Sequence, residues 1–154
     1  MRIAIGSDHA GFQLKQILVD ALQEMGYDYE DMGCYDESPV DYPDVAIPLA
    51  QAVAQRRFDR GILVCSNGVG VSICANKVRG IRAALCSDTF TAQRAREHTD
   101  VNILCLGGWV LGQGAAREIL KAFLTTGFAG GRHVQRLEKI SALEEQAVQV
   151  APQR

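Results

Sequence analysis

The chemically richest stretch of the chain is Cys65-Ser66-Asn67-Gly68-Val69-Gly70, which follows the apolar run Gly61-Ile62-Leu63-Val64 and leads into a helix-like segment near Val71. That order puts a thiol at the carboxyl end of a buried strand, beside a flexible amide-rich loop and a helix N-terminus. Oriented N–H groups and the positive helix end favour an anion there, and they favour a thiolate over a thiol. One short segment thus offers a base and an oxyanion site. An ordinary buried cysteine followed by a plain strand-to-helix turn accounts for the same residues, since free cysteine is commonly buried.

Other polar groups fall at the ends of apolar runs. Ser7-Asp8-His9 follows the first, Ser87-Asp88 the fourth, and Glu97-His98-Thr99-Asp100 precedes the fifth. Two histidines and several acids can therefore converge on one thiol. Each has a structural alternative: Asp8 as a helix cap, His9 as a solvated loop residue, His98 as a residue favourable to a helix C-terminus.

The elements that must position these groups alternate. Apolar β-rich runs occur at Arg2–Gly6, Tyr27–Met32, Gly61–Cys65, Ile81–Cys86 and Asn102–Leu106. Helical spacing marks Gly11–Met25, Val45–Gln55, Val71–Lys77, Thr89–Glu97 and Gly112–Thr126. Strands apolar on both faces and separated by helices predict an α/β fold, a doubly wound (Rossmann-like) three-layer sandwich on a five-stranded parallel sheet. In such sheets ligands bind beyond the carboxyl ends of the strands, near the switch in strand order. Residues 33–44 carry Pro39 and Pro43 and no period, which reads as a loop. After Gly130-Gly131-Arg132-His133 comes one more amphipathic helix, Val134–Val150, with Leu137, Ile140, Leu143, Ala147 and Val150 at helical spacing. A terminal helix with a free apolar stripe folds back on its own domain or packs on another subunit, and the second option is favoured because symmetric dimers are the commonest oligomers. Residues 130–150 are thus expected to form a dimerisation arm on a single domain spanning 1–154.

Composition bounds the function. The 154 residues are 47% hydrophobic and 22% charged with a net charge of −2, an ordinary globular balance that gives no electrostatic reason to expect nucleic acid or an anionic membrane. The N-terminus reaches Gly6 and Asp8 too soon for a signal-peptide core, and no apolar run approaches a membrane span, so a cytoplasmic location is expected. The five cysteines, at 34, 65, 74, 86 and 105, are odd in number and never spaced Cys-x-x-Cys, which suggests reduced thiols rather than disulfides or a zinc site.

Taken together, Ser7-Asp8-His9-Ala10-Gly11-Phe12, Asp41-Tyr42-Pro43-Asp44, Gly61–Gly70 with Ser72-Ile73 and Ala75-Asn76-Lys77, Gly80-Ile81-Arg82-Ala83, and Gly130-Gly131-Arg132-His133 resemble the type B ribose-5-phosphate isomerases. Subunits of galactose-6-phosphate isomerase and the allose-6-phosphate isomerases belong to the same superfamily. The resemblance runs from about residue 2 to 140 and implies an aldose–ketose isomerase that needs neither metal nor organic cofactor. It places Cys65 as the base that moves a proton between C2 and C1, and His98 as the acid that helps open the furanose ring. By the same resemblance Ser66, Asn67, Gly68, Val69 and Gly70 would supply amides for the enediolate oxygen, Asp8 and His9 would contact sugar and Tyr42 would line the site. Arg132 and Arg136 would bind phosphate from the partner subunit, in a homodimer or dimer of dimers whose site is shared. The physics agrees: proton abstraction beside a carbonyl needs a base near carbon and fixed donors at the oxygen. Guanidinium forks suit a phosphate handle, and residues four apart on a helix can face one way.

Three departures bear on the substrate. Where the family usually reads Cys-Gly-Thr-Gly, this chain has Ser66 and Asn67, so a hydroxyl credited with helping ring opening is absent. Thr99 stands where asparagine is common, and Trp109 stands where an arginine usually lines the phosphate end. As the sole tryptophan, Trp109 suits core or interface packing, or a sugar-stacking platform. Ribose 5-phosphate is the expected substrate. A tetrose 4-phosphate, which cannot close a furanose through its phosphorylated oxygen, fits the lost threonine, and allose or galactose 6-phosphate remain alternatives. From other classes, a noncatalytic sugar-phosphate binder or a cysteine-nucleophile hydrolase is compatible with Cys65 and His98 alone.

Overall fold

A computed structural model describes residues 1–150, with side chains described through 146. The expected alternation is present. The strands are β1 (Arg2–Ser7), β2 (Asp28–Asp31), β3 (Arg60–Cys65), β4 (Ala83–Leu85) and β5 (Ile103–Gly107). The helices are α1 (Phe12–Glu24), α2 (Tyr42–Ala54), α3 (Val69–Asn76), α4 (Thr89–Thr99), α5 (Gln113–Thr125) and α6 (Arg132–Val150). All strands pair in parallel in the order β2-β1-β3-β5-β4, with Ser7 beside Val64 and Cys65 beside Gly107. The order reverses between β1 and β3, so the edge where Ser7 and Cys65 end is the switch point.

The strand period of two divides the core. Ile3, Ile5, Ile62, Val64, Leu104 and Leu106 face α1, α4 and α5, where Leu14, Leu18, Leu22, Ala92, Ile119, Leu120 and Phe123 are buried. Ala4, Leu63, Cys65, Ile103 and Cys105 face the opposite way, against Ala46, Leu49, Ala50 and Val53 of α2 and Val71 and Ala75 of α3. Side chains alternate across a strand, so a run apolar at every position must be covered twice. One sheet with two cores is the result.

Several boundaries differ from the sequence reading, for local reasons. Residues 33–44 are not loop throughout: α2 begins at Tyr42, because Pro43 sits in its first turn, where a missing N–H costs nothing. Helix α3 starts at Val69, and the edge strand β4 is three residues long. Helix α4 continues through His98 to Thr99 and is closed by Asp100 in a left-handed conformation (φ 44°). Helix α6 starts at Arg132 and lies against its own chain. Glu144 accepts from the Gly80 N–H (3.2 Å) and Glu145 pairs with Arg79 (3.5 Å). Ile140 and Leu143 nonetheless stay exposed, while the side chains of Ala147 and Val150 fall outside the described residues. No helix among the described residues is long and apolar enough to cross a membrane.

Candidate active site

The carboxyl edge of the sheet gathers the first half of the expected residues. Cys65 ends β3 almost fully buried, and its sulfur accepts the Gly68 N–H at 3.1 Å. The loop between them turns because Gly68 has φ +80°, and it packs so closely that a Cβ there would lie 2.5 Å from Leu85 Cδ1 and 3.0 Å from the Leu106 carbonyl carbon. Gly68→Ala therefore meets both a backbone penalty and a clash. A loss of about 2–3 kcal/mol is expected in urea denaturation. Gly70 is needed for a different reason: the Tyr42 ring rests where its Cβ would be, at 2.9 Å. That contact brings Tyr42 from α2 over the loop.

Asp8 is buried, and its carboxylate accepts the Gly11 N–H at 2.9 Å, bracing the β1–α1 turn. Asp8 is not the helix cap that the sequence offered as an alternative: Gly11 is the N-cap of α1, without a side-chain cap bond, and the Asp8 carboxylate braces the turn that precedes it. His9 is exposed, with Nδ1 3.3 Å from the Val40 backbone. Behind both, Lys15 is wholly buried and bonded to Asp31 at 2.7 and 2.8 Å and to the Cys34 carbonyl. This pair holds the segment after β2 against β1, where Ser7 and Cys34 bond through the backbone. Backbones also crowd together: Gly108 N–H donates to the Cys65 carbonyl at 2.8 Å, and Trp109 N–H to the Ser66 carbonyl at 2.9 Å.

Not all loop amides are free, contrary to the sequence expectation. Asn67 Oδ1 accepts the Val69 N–H at 3.0 Å, and the Gly68 N–H is taken by sulfur. Among the described residues, the amides of Gly70 and Val71 at the start of α3 have no protein acceptor. These two point where an anion gains from a helix N-terminus.

The second half lies elsewhere. Because α4 runs antiparallel to the strands, its end, with His98 and Thr99, returns to the amino edge of the sheet. Arg82, just before β4, holds that turn by donating to the Thr99 carbonyl (2.8 Å) and the Asp100 carbonyl (3.0 Å). Crossing from Arg60 to Cys65 along β3 spans roughly 16 Å at about 3.3 Å per residue. His98 and Cys65 of one chain therefore do not converge, which corrects the expectation that strand order alone gathers the two histidines on one thiol. His98 instead stacks on His133, with ring centroids 4.3 Å apart and 12° between planes. Arg136 Nη1 lies 3.5 Å from His133 Nδ1. Arg132 and Arg136 are exposed at the start of α6, and the Thr99 hydroxyl donates to the Ala95 carbonyl at 2.7 Å. His98, Thr99, Arg132 and Arg136 thus form a second cluster.

Electrostatics separates the thiols. Burial, then the Asp88 charge, pushes the Cys86 thiol up to about 11. Burial, then Cys86 and Cys65, pushes Cys105 well above the ordinary thiol range. Both are protonated packing residues at neutral pH. An unfolded thiol loses its proton near pH 9.0 and native Cys86 only near 11, so the folded state binds more protons between them. Stability is expected to be full below about pH 9 and to fall as pH rises toward 11, with a shallower fall in Cys86→Ala, read from urea midpoints across that range.

Clefts do not by themselves find this site. One of about 460 Å³ opens at the amino edge among Arg56, Arg60, Arg82, Arg96 and Asp100. There Arg60 donates to the Phe123 and Leu124 carbonyls, and Arg96 to Val101 and Thr126, neutralising helix C-termini. At the carboxyl edge a cleft of about 270 Å³ is lined by His9, Gln13, Glu37, Gly108 and Trp109. Trp109 is 78% exposed, which removes core packing from its possible roles. Residue type and spacing do not single out His133 as a site residue; its signal is its place between Arg132 and Arg136 at the start of α6.

Comparison with known proteins gives a consistent picture. The family described as Ribose/Galactose Isomerase matches residues 3–140. Ribose-5-phosphate isomerase B of Escherichia coli is 46% identical over 144 residues, covering 94% of this chain and 97% of that protein. D-erythrulose-4-phosphate isomerase of Pectobacterium atrosepticum is 44% identical over 151 residues, covering 95% and 97%. Among solved structures, ribose-5-phosphate isomerase B of Clostridium thermocellum superposes with a TM-score of 0.94 at 46% identity, covering 96% of this chain and 99% of that one.

Proposed function

We propose for this chain, which belongs to the ribose/galactose isomerase family, the interconversion of ribose 5-phosphate and ribulose 5-phosphate with Cys65 as base. Membership makes it an aldose–ketose isomerase of phosphorylated sugars. The observation that carries the assignment of the base is the Cys65 sulfur, held by a backbone N–H at the sheet switch point, directly before the loop that leads into the free Gly70 and Val71 amides at the start of α3.

The chemistry balances without an added group. The Cys65 thiolate takes the C2 proton of the open-chain aldose, the electron pair forms the C1–C2 double bond, and charge moves to O1, where the Gly70 and Val71 amides can meet it. The C2 hydroxyl proton passes to O1, the thiol returns its proton to C1, and a ketone is left at C2. His98 serves as the acid for ring opening, and Arg132 with Arg136 anchors phosphate, which orients the reacting carbons through remote binding. Asp8, His9, Tyr42 and Thr99 shape the sugar pocket.

Separation of the two clusters by the width of the sheet supports a site completed by a second copy: His98, Thr99, Arg132 and Arg136 of one protomer reach over Cys65 of its partner. The exposed stripe of Ile140 and Leu143 on α6 supplies apolar surface for such a dimer.

A second reading has its own observation. Asn67 spends its carboxamide oxygen on the Val69 N–H and brings no hydroxyl for ring opening, and one relative at 44% identity is named an erythrulose-4-phosphate isomerase. A tetrose 4-phosphate, always open-chain, needs no ring-opening acid. Solvent proton exchange followed by NMR in heavy water decides between them, on four- to six-carbon sugar phosphates. Exchange and turnover strongest with ribose 5-phosphate support the first reading; exchange confined to erythrose 4-phosphate replaces it with the second.

A further inference from the structure

The His98–His133 stack is the least explained constellation in the molecule. His133 is 7% exposed and lies almost flat on His98 at 4.3 Å. Two imidazolium rings at that distance repel, so a doubly protonated stack is disfavoured. Geometry also says which ring is neutral. Arg136 reaches His133 Nδ1 at 3.5 Å, and a guanidinium has only donors, so this contact is a hydrogen bond only where Nδ1 keeps its lone pair. A neutral imidazole with its proton on Nε2 provides one.

We propose that His133 is the positioning residue of the proposed acid His98: a neutral, flat support that fixes the His98 ring and leaves the proton of the pair on His98. The inference rests on the reading of His98 as the ring-opening acid. Every charged group around His133 acts in one direction except one. Burial comes first, then His98 on α4, then Arg132 and Arg136 on α6, all of which lower its affinity for a proton; Glu97 on α4 raises it. Glu97 is itself engaged by Arg94 at 2.5 Å, and its carbonyl accepts from the Ala129 N–H at 2.9 Å. The same arginines that would hold phosphate thus keep His133 uncharged, and α4 and α6 are locked together at the point where the acid projects.

The test uses the intact protein and two readouts. Imidazole nitrogen NMR of the wild type should show His133 neutral, with its proton on Nε2, across the pH range in which His98 titrates; a His133 that charges first or together with His98 overturns the proposal. This measurement needs no substrate, so it stands even if no sugar phosphate in the panel is turned over, an outcome that sinks the functional reading instead. The second readout is kinetic. His133→Ala should slow isomerisation of ribose 5-phosphate by roughly tenfold or more in kcat and displace the acidic limb of the pH profile, because a loosened acid loses orientation. Proton exchange into ribulose 5-phosphate, which is open-chain and needs no ring opening, should change by less than about threefold. His133→Phe, which keeps a flat uncharged ring, should recover most of the loss. Equal losses on both sugars, or no recovery with phenylalanine, overturns the positioning role.

Discussion

Replacing Cys65 with alanine is expected to cut both isomerisation and solvent proton exchange by about 10²- to 10⁴-fold, the usual contribution of a positioned base. The size follows from the absence of a substitute. Cys86 follows the end of β4 and Cys105 lies within β5, but burial holds Cys105 well above the ordinary thiol range and Cys86 at about 11, so neither delivers a thiolate at neutral pH. The folded state should tolerate the change: the sulfur makes one backbone contact, from Gly68, and a distant one to Asn67 at 3.9 Å. Circular dichroism and urea midpoints close to wild type, with exchange lost, would be the signature. Exchange that survives in Cys65→Ala assigns the base to another group and leaves Cys65 as a packing residue.

The second large effect concerns assembly. Cys65→Ala and the double variant Arg132→Ala, Arg136→Ala should each be nearly inactive alone, yet refolded together in equal amounts they should regain about a quarter of wild-type activity. Random pairing makes half of the symmetric dimers mixed, and each mixed dimer keeps one site with both halves intact. The prediction depends on Cys65 and the arginine cluster standing at opposite sheet edges in one chain. A mixture as inactive as its parents means that each site draws its thiol and its arginines from a single protomer, and contradicts the shared arrangement.

Much of the frame was legible because it rests on periodicity. Runs such as Gly61–Cys65 are apolar at every position, and only a sheet covered on both faces buries them; the strands, their parallel pairing and the helices between them follow. Boundaries were less legible where one residue shifts the turn. Pro43 suggested a loop, yet in the first turn of α2 it is a helix starter. Helix α4 runs two residues beyond Glu97, where hydrophobic spacing ended it, because Asp100, held by Arg82 and Arg96, closes it after Thr99.

For the site, residue types and local order determined the chemistry: a thiol followed by Asn67, Gly68 and Gly70 at a strand end, and two arginines four apart on a helix. What the chain order did not contain was distance. His98 precedes β5 and was expected beside the thiol, but a helix between parallel strands must run back to the amino edge, which carries His98 away from Cys65 and onto His133. The tertiary structure also decided which donors are spent, with Gly68 on sulfur and Val69 on Asn67, and which remain, at Gly70 and Val71. Hydrophobic pattern encodes faces and periods along one chain, whereas side-chain encounter and hydrogen-bond satisfaction depend on the packed arrangement of all its elements.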